Sequence, residues 1–140
     1  MAKRPGTEVL AGVPLFQGLS SKHLRRIRDL AEPADYMAGA SLVKQGTEGD
    51  GFFVILEGLA KVVVGTRTIN RLMPGDYFGE ISLLDGGART ASVVSETPMK
   101  VLLIERSRFL KLLKEEGAIA VGLLEGLAMA IRRTDRSLAG

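Results

Sequence analysis

Apolar residues along this chain recur first at a helical period, then in short strand-like runs, then at the helical period again, and these changes divide it into three zones. In residues 1–33 the positions Leu24, Ile27 and Leu30 recur every third residue behind Ser20, with Pro33 just beyond. That pattern predicts a helix whose first free amides are capped by the Ser20 hydroxyl and which stops before the proline. In residues 34–105 the apolar runs are short: FFVIL at 52–56, KVVV at 61–64, ASVV at 91–94 and VLLI at 101–104. Ten of the 17 glycines fall between Gly39 and Gly87, so turns punctuate these runs. Short strands at that spacing predict an all-β sandwich or barrel. Residues 106–140 return to the helical period. Ser107 is expected to cap RFLKLLKEE, which stops at Gly117, and a second helix carries Leu124, Leu127, Ala128 and Ile131 as one stripe. The stripe has three uses open to it: packing against the β zone, a movable lid, or a seam with a second copy. Leu124, Ile131 and Leu138 give only two heptads, below the ~3–4 that support a coiled coil.

A chain of 140 residues fits one domain and can bury a real core. Hydrophobic residues make up 46% and aromatics 5%, so aliphatic packing dominates. There is no cysteine, which removes disulfides and thiolate metal sites and suits a reducing, cytoplasmic setting. The start, MAKRPGTEV, has two basic residues and no apolar run behind them, unlike a secretory signal. No stretch approaches the ~20 apolar residues of a membrane span.

Net charge is +3, which raises nucleic acid as a partner. The basic residues argue against direct DNA contact. Lys22, Arg25, Arg26 and Arg28 share a short helix, and Arg132, Arg133 and Arg136 surround Asp135; both clusters read as solvated helix faces. No helix-turn-helix pattern follows. An enzyme is not expected either. A metal-dependent β-barrel site or a two-metal phosphodiesterase draws on several histidines, and this chain has one, His23, on the first long helix. No catalytic residue, metal ligand or catalytic cofactor is assigned.

The segment YFGEISLLDGGARTASV, residues 77–93, carries most of the functional signal. It sets a carboxylate, Glu80, and a guanidinium, Arg89, nine positions apart, with Gly79, Gly86 and Gly87 around them. An arginine fork matches two oxygens of a phosphate, and a carboxylate accepts from a sugar hydroxyl. An isolated surface pair of this kind is worth only about 0–1 kcal/mol, but such a pair needs neither close backbone approach nor the small residues Thr90 and Ala91 behind it. Between them, GEISLL predicts one short helical turn with free amides at its start.

This run resembles the phosphate-binding cassette of cyclic nucleotide-binding domains: FGE at 78–80, ISLL at 81–84, the loop DGGA at 85–88, and RTA at 89–91. The likeness extends to PLFQGLS at 14–20, to KQGTEGDGFFVILEGLAKV at 44–62, which resembles the signature hairpin of the family, and to RLMPGDYFGE at 71–80. It covers most of the chain and resembles the sensor domains of catabolite-activator and protein-kinase-A-regulatory type. The implied fold is mainly β with flanking helices: a β-roll of the jelly-roll kind with an N-terminal helix and C-terminal lid helices. A single domain over 1–140 is implied, with a helical segment at 1–33, the roll at 34–105, its cassette at 78–92, and closing helices at 106–140.

The resemblance also implies roles. Glu80 would accept the ribose 2′-hydroxyl, and Arg89 would pair with the phosphate. The amides of Gly79, Ser82 and Ala91 would complete the cradle, while Ile81, Leu83 and Leu84 anchor the short helix on the core. The Thr90 hydroxyl serves a phosphate oxygen, a neighbouring carbonyl, or the amine of a syn guanine; the ligand expected is cAMP, with cGMP possible. Val63 and Leu72 are candidates for the wall beside the base. The lid departs from the family pattern, because no aromatic follows Phe109; Arg132, Arg133 or Thr134 are left to meet the base. The resulting expectation is a non-enzymatic sensor whose C-terminal helices move on binding and reach a second copy or a separate effector. Alternatives are an interaction module with a vestigial pocket, or the sensor half of a longer regulator; the opening Met and closing Gly140 fit a stand-alone domain.

Overall fold

The computed structural model describes residues 7–139, with side chains to residue 134. The readings made on the first six residues, and on the side chains of Asp135, Arg136 and Leu138, lie outside the described residues. By backbone proximity the chain divides into two compact units, one built from the residues before Leu30 and after Leu110, the other from Leu30–Leu110.

The second unit is a roll of two antiparallel sheets. Its strands are β1 (Glu32–Tyr36), β2 (Ser41–Val43), β3 (Gly51–Glu57), β4 (Ala60–Val64), β5 (Arg67–Leu72), β6 (Tyr77–Phe78), β7 (Ser92–Ser95) and β8 (Met99–Glu105). One sheet has the order β1-β8-β3-β6 and the other β2-β7-β4-β5. The implied β-roll with flanking helices is therefore what forms. Between the sheets sit Phe53, Ile55, Ala60, Leu72, Val93, Met99 and Val101, all buried. Alternation explains the selection: residues two apart on a strand face the same layer. Phe53 stacks on Phe78 with centroids 4.7 Å apart, a contact worth about 1 kcal/mol beyond the area it buries.

The segment 44–62 does not close as a hairpin. β3 pairs with β6 and β8, whereas β4 pairs with β5 and β7. The chain passes from one sheet to the other between Glu57 and Ala60, and the true neighbouring hairpin is β4–β5. Pro33 lies on β1, at the edge of its sheet, where its missing N–H costs no central ladder bond.

The first unit contains α1 (Thr7–Gly12), a 3₁₀ turn (Pro14–Phe16), most of α2 (Ser21–Leu30), and α5 (Gly117–Ala139). Ser20 caps α2 as predicted, its Oγ accepting from the His23 amide at 3.2 Å. Arg26 of the basic helix pairs with Glu116. Helix α4 (Arg106–Glu115) starts before Ser107, which sits inside the first turn instead of capping it; the Arg106 amide finds the Asp50 carbonyl at 2.8 Å. Gly117 opens α5 and does not end a helix.

The packed face of α5 is also different from the expected one. Leu124 and Ile131 are 64% and 60% exposed, Ala128 is exposed and Leu127 half-buried. Buried instead are Ile119, Gly122, Leu123 and Gly126. The reason is close backbone approach: a Cβ at Gly126 would lie 2.4 Å from the Leu15 carbonyl oxygen, and one at Gly18 2.3 Å from that of Gly122. Glycine lets the helix lie directly on the turn, so the packed face contains few large apolar side chains.

Ser95 is the buried polar joint of the second sheet, 2% exposed. Its Oγ donates to the Met37 carbonyl at 2.6 Å and accepts from the Ala40 amide at 2.9 Å. Ser95→Ala leaves these two backbone groups only the longer 3.3 Å bond between the Ala40 amide and the Met37 carbonyl. It is expected to lower the unfolding free energy by about 1–3 kcal/mol, measured by urea denaturation followed by circular dichroism.

Candidate functional site

The site is built where β6 ends. Its two residues pair with Val54 and Phe53 of β3, and the chain then turns at Gly79, whose φ is +89°. A side chain there is excluded twice over. Left-handed backbone disfavours it, and a Cβ would come within 2.6 Å of both Arg89 Nη1 and the Gly51 carbonyl oxygen. After the turn come Glu80, Ile81 and the helix α3 (Ser82–Asp85). Gly86, with φ +65°, closes α3 by donating its amide to the Ser82 carbonyl. Asp85 Oδ1 then accepts from the Gly87 amide at 2.7 Å, which sets the loop toward Arg89.

That loop is zipped to residues 46–49. The Gly49 amide donates to the Gly87 carbonyl at 2.9 Å, the Arg89 amide to Thr47 at 2.7 Å, and the Gly46 amide to the Arg89 carbonyl at 2.8 Å. Backbone bonds on both sides of residue 88 leave the Arg89 side chain little choice of direction. Its Nη2 donates to the Gly51 carbonyl at 2.7 Å and its Nη1 reaches Ser82 Oγ at 3.4 Å. Arg89 is 7% exposed, and its Nε is buried with no acceptor. Burial lowers its pKa, with the Asp50 carboxylate opposing the shift; an arginine side chain remains charged in proteins.

A cleft of about 410 Å³ opens beside this guanidinium. Its lining is polar at Glu80, Ser82, Arg89 and Thr90, beside the Gly79 backbone, and apolar at Val43, Val62, Leu72, Phe78 and Val93. Its size falls within the range of small-molecule sites. Glu80 lines the cleft, yet no ion pair joins it to Arg89 among the described residues. Its charge is felt at Tyr77, whose pKa rises through burial first, then through Glu80 and Asp76.

The structure brings Gly79, Glu80, Ile81, Ser82, Arg89, Thr90, Ala91 and Leu72 to one cleft. Val63 is not among its lining residues; Val62 is. The β4–β5 ladder slips between Val62 and Val63, where Ile69 is passed over, and adjacent strand residues face opposite ways. Leu83 is fully buried beneath α3, but Ile81 is 53% exposed, so Ile81 lines the cleft and does not anchor the helix. Arg132 and Arg133 are exposed on α5 in the other unit. The Thr134 hydroxyl bonds back to the Ala130 carbonyl at 3.2 Å. Sequence reasoning missed Val43, Val62, Phe78 and Val93 as lining residues. The alternation in KVVV and ASVV held part of that signal. It also missed the Gly51 carbonyl, a backbone atom that no side-chain motif announces.

Residues 33–116 match the family profile described as cyclic nucleotide-binding domain. A curated relative from Mycobacterium tuberculosis, a CRP-like cAMP-activated global transcriptional regulator, is 30% identical over 139 residues. The match takes in 94% of this chain and 61% of that protein, so the chain spans about three fifths of its relative's length. Among solved structures, the N-terminal domain of a transcriptional regulator from Streptomyces coelicolor superposes with a TM-score of 0.82 at 27% identity, covering 91% of this chain and 95% of the other. A cyclic nucleotide-binding-like protein from Brucella abortus gives 0.72 at 27% identity over 79% of this chain and 99% of its own. The profile match over residues 33–116 agrees with the fold and with a cleft lined by a buried arginine: the chain belongs to the cyclic nucleotide-binding domain family.

Proposed function

We propose that the cleft binds a 3′,5′-cyclic nucleotide, cAMP in the first instance, as a regulatory ligand and not as a substrate. The observation that carries this reading is Arg89. A guanidinium at 7% exposure, with an unpartnered Nε and two side-chain hydrogen bonds, is short of acceptors in a place where that is costly. An anionic phosphate supplies them, and charge-assisted bonds of this type are about twice as strong as neutral ones. Glu80, which lines the same cleft, accepts the ribose 2′-hydroxyl. The amides of Gly79, Ser82 and Ala91 complete the phosphate's shell, and Val62 and Leu72 face the base. The cAMP preference is supported by the cAMP-activated regulator that the chain resembles. No group of three or more histidine, aspartate or glutamate side chains is placed to hold a metal among the described residues. Among them, too, no helix is long and apolar enough to cross a membrane.

In this reading the output is mechanical. Binding shifts the C-terminal helices, and it does so only by the difference in ligand affinity between their two positions. The second reading, the sensor half of a longer transcription regulator, is supported by the same relative. A second copy is the proposed occupant of the exposed face of α5. Val121, Leu124, Ala128 and Ile131 are exposed there at spacings of three, four and three, the seam geometry by which two helices pack.

Calorimetric titration of nucleotide-stripped protein with cAMP, cGMP and AMP tests the ligand. One saturable site for cAMP with AMP silent is expected; folded, empty protein that takes up neither cyclic nucleotide would instead mark an interaction module with a vestigial pocket. Arg89→Ala is expected to cost about 3 kcal/mol of binding, roughly two decades in affinity. Glu80→Ala is expected to cost about 1–2 kcal/mol and to narrow the preference for ribose over 2′-deoxyribose ligands; an unchanged preference would remove Glu80 from its role. For the seam, Leu124→Asp should convert a dimer to a monomer in light scattering, and a wild-type protein that is already monomeric at high concentration would discard it.

A further inference from the structure

Arg106 stands at the junction of β8 and α4, outside the cleft, and no role above uses it. Its amide donates to the Asp50 carbonyl at 2.8 Å. Its Nη2 donates to the Leu84 carbonyl, in the last turn of α3, at 2.9 Å. Its Nε is buried with no acceptor. The guanidinium lies against Gly86, where an added Cβ would come within 3.3 Å of its Cζ and Nε. The hollow around it also carries Glu48, Asp50, Asp85 and Glu105, yet among the described residues none of these carboxylates forms an ion pair with it. The arginine is therefore spent on a backbone carbonyl.

That expenditure has a physical reason. A four-residue helix with no side-chain cap at its start does not hold its own position. Its last carbonyls have no partner within the helix, and a basic side chain at that end supplies one. A flat guanidinium also fills the space under Gly86 in a way that the compact ammonium of lysine does not. Leaving Nε buried and unpaired works against stability, so holding α3 in place is what the arrangement gains. The chain of contact is short: Arg106 holds Leu84 and underlies Gly86, Gly86 donates to the Ser82 carbonyl, and Ser82 Oγ meets Arg89 Nη1.

We infer that Arg106 is a positioning residue for ligand binding, clamping the far end of α3 so that Ser82 and Arg89 present their donors to two different oxygens of one phosphate. The inference rests on the reading of the cleft given above. It is tested with the full chain, stripped of nucleotide, and the two diastereomers of a cyclic adenosine phosphorothioate, in which sulfur replaces one or the other exocyclic oxygen. Misplacing α3 blurs the distinction between the two oxygens, whereas a merely weakened fold does not. Arg106→Ala is expected to weaken binding of the preferred diastereomer about tenfold and to narrow the affinity ratio between the two, while the melting temperature of the unliganded protein stays within a few degrees. Arg106→Lys, which keeps a charge and a donor without the plane, should fall between. Wild-type affinity and ratio in folded Arg106→Ala would overturn the inference, as would a loss of affinity with the ratio unchanged. If Arg106→Ala does not fold, Arg106→Lys decides by the same two readouts. Wild-type protein that binds neither diastereomer nor cAMP overturns the reading of the cleft itself, and the role of Arg106 with it.

Discussion

The rest of this structure is arranged around one cation that has been taken out of water. Burying a guanidinium costs several kcal/mol unless hydrogen bonds and nearby charge make up the loss. For Arg89 the compensation comes from backbone: the Gly51 carbonyl accepts directly, and the Asp50 carboxylate adds a favourable field. Such compensation works only if the backbone arrives at a fixed place. The bonds between residues 46–49 and 87–89 deliver it, and the missing side chain at Gly79 leaves room for it. The turn after β6, the start of β3 and the loop after α3 are therefore not independent choices. Each is shaped to the same planar group.

The placement of Glu80 follows from the same constraint. Had the carboxylate paired with Arg89, the site would be neutral and complete, and an incoming phosphate would compete against a bonded anion. Instead the two charges line one cleft without an ion pair between them, and the influence of Glu80 reaches Tyr77. Opposite charges kept apart, in a lining that also holds Val43, Val62, Leu72 and Val93, offer a ligand both polar and apolar partners.

Sequence made the cassette legible because its chemistry depends on residue type at fixed spacing: a glycine that must turn, a carboxylate, and an arginine nine positions on. The buried strands β3, β7 and β8 were legible because burial imposes apolar runs. The strands β1 and β5 were not, for the opposite reason. EPADY and RTINRL lie at sheet edges and are mostly exposed, so nothing selects an alternating pattern there. The passage of the chain from β3 to β4 looked like a hairpin because a glycine turn between two apolar runs reads the same whether or not the runs pair. The exchange of Val62 for Val63 follows from alternation along β4: Ala60 is buried in the core and Val62, two residues on, packs against it, a phase that a run of three valines does not reveal. The face of α5 was misassigned because glycine packs by being absent, and a search for large apolar residues finds the exposed stripe first.

The bond between Arg89 and the Gly51 carbonyl also bounds what a ligand can accomplish. A phosphate that draws the guanidinium away from this carbonyl exchanges a neutral acceptor for an ionised one, and the gain is the difference between the two bonds. The bond to Gly51 is already charge-assisted on its donor side, so an ionised acceptor adds only the share of the second charge, about 1 kcal/mol, which moves a two-state equilibrium by less than one decade. On the proposed reading, that would bias helices whose two positions are close in free energy, and it is too little to drive apart a well-packed interface. A switch of the proposed kind would then need a conformational equilibrium set near balance beforehand. The glycine-to-backbone contacts of α5 on the 3₁₀ turn suit that requirement: a contact built on small residues gains little from any single side chain, and its free energy can be tuned finely by sequence.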